Sequence, residues 1–141
     1  MYYEMLAGEL LNIKAKLLQV PASQQISKIN KGAFFVLNYL NEHNKAVHPK
    51  ELSEKLAVST ARIATLLKYM EEKKLIKRTE DPDDNRQVIV KITAEGSRII
   101  NEIRKEAIFY ISDMLKSLGP DDAKNYIRIQ EKIYSSFMSK N

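Results

Sequence analysis

Cysteine is absent from this chain of 141 residues. That excludes disulfide frameworks, thiolate metal sites, a cysteine nucleophile and thiol-based redox sensing. Histidine is nearly as scarce, with only His43 and His48, five residues apart in a polar stretch. A metal needs three or four converging ligands, so both are expected to be solvated loop side chains, and no metal site is expected. The four glycines form no phosphate-cradling loop. No histidine is paired with a hydroxyl nucleophile in a motif, so neither an enzyme nor a cofactor is expected. No apolar run approaches the ~18–20 residues of a membrane span, and the start, Met1-Tyr2-Tyr3-Glu4, lacks the basic stretch of a signal peptide. A soluble cytoplasmic chain with no membrane partner is the expectation.

The remaining composition is that of one globular domain, 44% hydrophobic and 29% charged. Lys and Arg number 23 against 18 Asp and Glu, a formal charge of +5 that leans toward a polyanionic partner.

Over residues 4–20, Leu6, Leu10, Ile13 and Leu17 recur at helical spacing, broadened by Leu11 and Leu18, until Pro21 ends the pattern. Residues 21–30 read as polar with no helical stripe. Asn30 is a candidate cap for a second helix through Ala33, Val36, Leu37 and Leu40, with Phe34, Phe35 and Tyr39 adding bulk. Residues 41–48 read as a connection in which Val47 supplies one strand residue. Pro49 suits the first turn of the next helix, to Leu56, and Ser59 is a strong cap for a helix reaching about Lys74. Residues 76–79 and 87–93 alternate with β-branched residues, and Glu80 to Arg86 between them is rich in turn formers: a β-hairpin with a long tip. From Ala94 to Leu118 helical spacing returns for about six turns, Gly119-Pro120 breaks it, and a last helix from about Asp121 carries two apolar rows. Tyr126, Ile129, Ile133 and Phe137 form one row, and Ile127, Tyr134 and Met138 the other. A chain this small has little core to cover both, so the helices at the two chain ends are expected to pack on a second subunit, with closure of the monomer's own core as the alternative.

Leu52, Leu56, Val58, Ile63 and Leu66, with Ser53 and Ala57 as small residues at the close approach, have the offsets of a helix-turn-helix. The second helix of such a unit lies in the DNA major groove, N-terminal residues against base edges. Here those are Ser59, Thr60, Ala61, Arg62, Ala64 and Thr65. Arg62 can pair bidentately with guanine, Thr60 and Thr65 offer hydroxyls and methyls, and Lys68 lies farther along, toward phosphate or solvent.

The run Glu51-Leu52-Ser53-Glu54-Lys55-Leu56-Ala57-Val58-Ser59 resembles the helix-turn-helix of the MarR family of bacterial winged helix-turn-helix regulators. Met70 to Arg78 resembles its recognition-helix end and first wing strand. Asp81-Pro82-Asp83-Asp84-Asn85-Arg86 resembles its aspartate-proline-x-aspartate-x-arginine wing tip, the most specific part, and Lys91 to Gly96 the opening of its long helix. The resemblance implies a mostly α fold with a small β-hairpin wing, about six helices, in one domain over 1–141. Within it, 1–30 and 97–141 would be dimerisation helices and 31–96 the winged DNA-binding head. It implies a homodimer that reads a pseudo-palindromic double-stranded site as a sequence-specific transcriptional regulator, a repressor released by a small effector. Lys77 and Arg78 would meet DNA, Arg86 would enter the minor groove, and Asp84 would orient its guanidinium through a carboxylate fork. On composition alone, Glu80, Asp81, Asp83 and Asp84 read equally well as a solvated acidic turn. Phe34, Phe35, Tyr39, Phe109 and Tyr110 could line a crevice for a small aromatic effector, with plain core packing as the alternative. Ala57 and Lys74 stand where the family usually has glycine, and Asn85 replaces one of its paired basic residues. The rival of another class is a winged-helix protein-interaction module. Such modules usually lose the basic residues, and Arg62, Lys68, Lys77, Arg78 and Arg86 are present.

Overall fold

The computed structural model describes residues 1–140; Asn141, the last residue of the expected dimerisation segment, lies outside them. Among the described residues seven helices flank one hairpin. They are α1 (Tyr2–Leu17), α2 (Pro21–Ile29), α3 (Gly32–His43), α4 (Pro49–Leu56), α5 (Thr60–Glu72), β1 (Ile76–Asp81), β2 (Asp84–Ile92), α6 (Ala94–Leu118) and α7 (Pro120–Lys140). No helix among them is long and apolar enough to cross a membrane. The helix absent from the sequence reading is α2. Its stripe is Ala22, Ile26 and Ile29, of which Ala22 and Ile29 are buried, and an alanine is a faint mark in a polar run.

The chain forms two compact units, residues 24–107 and residues 1–23 with 108–141. The first is the winged head. Its core joins Val36, Leu37 and Leu40 of α3, Leu52 of α4, Ile63, Leu67 and Met70 of α5, Ile76 and Val90 of the hairpin, and Ile100 of α6. Pro49 occupies the first turn of α4, where its missing N–H costs nothing. Ser59 caps α5, its Oγ accepting from the Arg62 amide at 3.1 Å. Leu56, Val58 and Leu66 are only half-buried. Ser53 is buried as expected, but Ala57 is exposed, so its small size serves no close approach. It serves the turn instead: Ala57 has φ 58° and Lys74 φ 63°, the left-handed conformations that make glycine usual at both places. The cap of α3 is Lys31, in extended conformation with no side-chain bond, and not Asn30.

The hairpin pairs Ile76 with Ile92, Lys77 with Lys91 and Arg78 with Val90, and Val47 adds one bridge to Val90. The long tip is corrected: the strands run on to Asp81 and Asp84, leaving Pro82 and Asp83 as the turn. The turn's acids make this possible by accepting its own amides, Asp81 from Asp83 at 2.9 Å and Asp84 from Arg86 at 3.2 Å. Thr93 starts α6, its Oγ1 accepting from the Gly96 amide at 3.0 Å. A Cβ at Gly96 would stand 2.2 Å from the Leu75 carbonyl oxygen, so only glycine lets α6 leave the hairpin here.

The second unit holds α1, α6 from Ile108 and α7. Neither α1 nor α7 has a buried residue, and both apolar rows of α7 are exposed.

Candidate nucleic-acid interface

Burying Ile63, Leu67 and Met70 fixes the rotation of α5 and turns the opposite side outward. Ser59, Thr60, Ala61, Arg62, Ala64, Thr65 and Lys68 are all exposed. Among the described residues neither Arg62 nor Lys68 has a carboxylate within 4.0 Å, whereas Arg78, Arg86, Arg98 and Arg104 each do. Arg62 is therefore a cation with nothing inside the head to satisfy it. Thr65 donates its hydroxyl proton to the Ala61 carbonyl at 3.2 Å, which leaves its methyl and the oxygen's acceptor capacity for a partner.

The wing is an organised acid–base turn. Arg86 is 87% exposed, and its Nε donates to Asp84 Oδ1 at 3.1 Å while a terminal nitrogen lies 3.5 Å from Oδ2. Gln87 also donates to Asp84, at 3.4 Å. His48 at the start of α4 lies 2.7 Å from the Asp81 carboxylate. The Asp83 amide and His48 together hold the Asp81 carboxyl below the usual carboxylate range. Two of the tip's four acids are thus spent on fixing the wing. His48 is no solvated loop residue; His43 is exposed as expected, but at the end of α3 and not in a loop, where it stacks on Tyr39 at 4.0 Å and meets the Tyr39 carbonyl oxygen at 2.8 Å.

Lys77 is exposed on β1, directly across from Lys91. Arg78 differs. Glu71 takes its Nε at 3.1 Å, a terminal nitrogen at 2.8 Å and its backbone N–H at 3.1 Å, and Arg78 lowers the Glu71 pKa. The guanidinium ties the end of α5 to the base of the wing. No sequence signal marks this pair, because Glu71 lies at the end of α5 and Arg78 on β1, and no periodicity runs across the turn between them.

Of the expected effector residues, Phe34, Phe35 and Tyr39 lie on α3. Phe34 and Tyr39 pack on the head's core, Lys28 sits over the Phe34 ring at 5.8 Å, and Phe35 stacks with Tyr39 at 6.2 Å. The Tyr39 hydroxyl donates to the Glu51 carboxylate, and this bond, with burial, pushes its pKa up to about 12. Phe109 and Tyr110 belong to the other unit, where they meet edge to face at 5.3 Å.

A profile of the transcriptional regulators SarA/Rot matches residues 22–103, the head almost in full. The chain belongs to this family of MarR-type winged-helix transcriptional regulators. Among relatives of this SarA/Rot-family chain, the transcriptional regulator MgrA of Staphylococcus aureus is 31% identical over 104 residues, covering 74% of this chain and 69% of MgrA. The chain spans between 53% and 69% of the length of the curated relatives it matches. A MarR family protein from Bacillus stearothermophilus superposes with a TM-score of 0.77 at 22% identity, covering 97% of this chain and 96% of its own. NadR in complex with 4-hydroxyphenylacetate superposes at 0.66 with 18% identity, covering 93% and 89%. These two likenesses show the winged-helix fold; the family match and MgrA make the chain a DNA-binding transcriptional regulator.

Proposed function

We propose that two copies of this regulator bind one duplex site of two-fold related halves in the cytoplasm and repress transcription from it. The uncovered first half of α5, with Arg62 unpaired, carries the reading. Arg62 reads a guanine, Thr60, Ala61 and Thr65 contact neighbouring bases or phosphates, and the capped helix start at Ser59 favours a phosphate. Lys68 and Lys77 supply backbone contacts. Arg86 enters the minor groove with Asp84 aiming it, and Arg78 acts through Glu71 by holding the wing's base. The apolar faces of α1 and α7 join the copies. A small aromatic effector releases the DNA, by analogy with the ligand bound to NadR. Phe34, Phe35 and Tyr39 in the head are one candidate set to receive it, and Phe109 and Tyr110 in the other unit are a separate one.

In-vitro selection from random duplexes should recover a palindrome. On that duplex Arg62→Ala should cost about 1–3 kcal/mol, and much less on random DNA. Arg86→Ala should reduce the salt slope by about 0.9 per lost contact on B-form DNA, and Asp84→Ala should weaken binding with a smaller change of slope. Equal loss on both duplexes would demote Arg62 to a phosphate contact. Absence of duplex binding at low salt would leave the protein-interaction module standing. If Asp84→Ala tightens binding, the tip is simply an acidic turn.

A further inference from the structure

Beside the reading helix the head holds a cavity of about 430 Å³, within the size range of small-ligand sites. It opens among the start of α3, the end of α4 and the first turns of α5. Asn30 and Gly32 form part of its rim, and its other walls are of two kinds. Leu56, Val58 and Leu66 are half-buried aliphatic side chains that pack on the core and also line this space. Lys31 and Arg62 are cations that line it too, and neither has a carboxylate within 4.0 Å among the described residues. No aromatic or acidic side chain contributes to the lining. An occupant must therefore carry an anion for the two cations and an aliphatic body for the three apolar walls; a flat ring would find nothing to stack on.

We propose that this cavity binds a medium-chain aliphatic carboxylate. Its carboxylate pairs with Lys31 and Arg62, and its chain covers Leu56, Val58 and Leu66. Arg62 pairs with a carboxylate readily because its fork matches the two oxygens. A bound acid would occupy the very side chain proposed to read a base, so it would compete with DNA directly, without moving either unit. That competition rests on the proposed role of Arg62, whereas binding of the acid does not.

Octanoate is the probe, titrated into the full chain without DNA and followed by amide chemical shifts and calorimetry. Saturable shifts at residues 31, 56–58 and 62–66 are expected, with 1-octanol, the same tail without the charge, at least tenfold weaker. Lys31→Met, which removes a cation but keeps an unbranched side chain, should weaken octanoate at least tenfold while leaving the circular dichroism and affinity for the selected duplex unchanged. Octanoate should raise the DNA dissociation constant of the native chain and leave that of Lys31→Met nearly unmoved. Shifts confined to the apolar faces of α1 and α7, no saturation, or native octanoate affinity in Lys31→Met would each overturn the site. Binding in the cavity with no displacement of selected DNA would overturn the competition alone. Binding there by a chain that prefers no duplex sequence would refute the reading role of α5 and leave the site intact.

Discussion

In the winged head Val36, Leu37, Leu40, Leu52, Met70, Val90 and Ile100 have no exposed surface, while α1 and α7 bury none of their residues. Leu10 is 56% exposed and Ile133 61%, although both stand in apolar rows as regular as those of the head. The contrast separates two things that an apolar pattern leaves joined: that a face is apolar, and what covers it. The head closes its own core because α3 to α6 and the hairpin converge on one cluster. The end helices carry apolar rows that one copy leaves largely exposed. Fully covering each large aliphatic side chain there would contribute about 1.5–3 kcal/mol, which is the driving force of the proposed dimer.

Paired substitutions sharpen this contrast most strongly. Leu37→Ala should destabilise the head by about 2–5 kcal/mol in urea unfolding, to the same extent at every protein concentration. Ile133→Glu should instead reduce the concentration dependence of unfolding and leave the head's own transition near its native midpoint. Equal, concentration-independent losses from both would erase the distinction between the two regions.

A smaller effect belongs to the head alone. Ala57 holds a left-handed conformation that costs an alanine about 1–2 kcal/mol, so Ala57→Gly should raise the stability of the head by about 1 kcal/mol, after the entropy of glycine is subtracted. Association should not change. A loss of stability would mean that the alanine side chain makes a contact worth more than the strain.

The smallest effect is spectroscopic. Tyr39, bonded to Glu51, has its folded pKa raised from 10.0 to about 12. The stabilisation from this pair is present below the unfolded value and is lost as pH rises from about 10 through 12. One tyrosine should therefore ionise late in an ultraviolet titration, and Glu51→Gln should bring it back toward 10. Late ionisation that survives Glu51→Gln would place its cause elsewhere.

Legibility in the sequence followed the same division. Elements with a strong period or a cap could be read: α1, the helix-turn-helix with Pro49 and Ser59, the long α6, and the Val47 bridge. The Asp84–Arg86 fork came from the wing motif and stands in the structure at 3.1 Å. By contrast α2 was hidden, because its buried stripe depends on Ala22. The tight tip is not legible, because turn-forming acids give no hint that two of them satisfy the backbone amides of a two-residue turn. The ties of Glu71 to Arg78, His48 to Asp81 and Tyr39 to Glu51 join different elements, and no local spacing encodes them. The left-handed Ala57 and Lys74 were marked only by standing where relatives have glycine. The cavity beside Arg62 is a property of packing and had no sequence signature.

Static light scattering on the full chain at micromolar concentration tests most directly whether the uncovered end helices find a second copy. A mass of twice 16.3 kDa, falling toward 16.3 kDa in Ile133→Glu, is the expected result. A native chain that scatters as a single 16.3 kDa species, with α1 and α7 still folded, would contradict it.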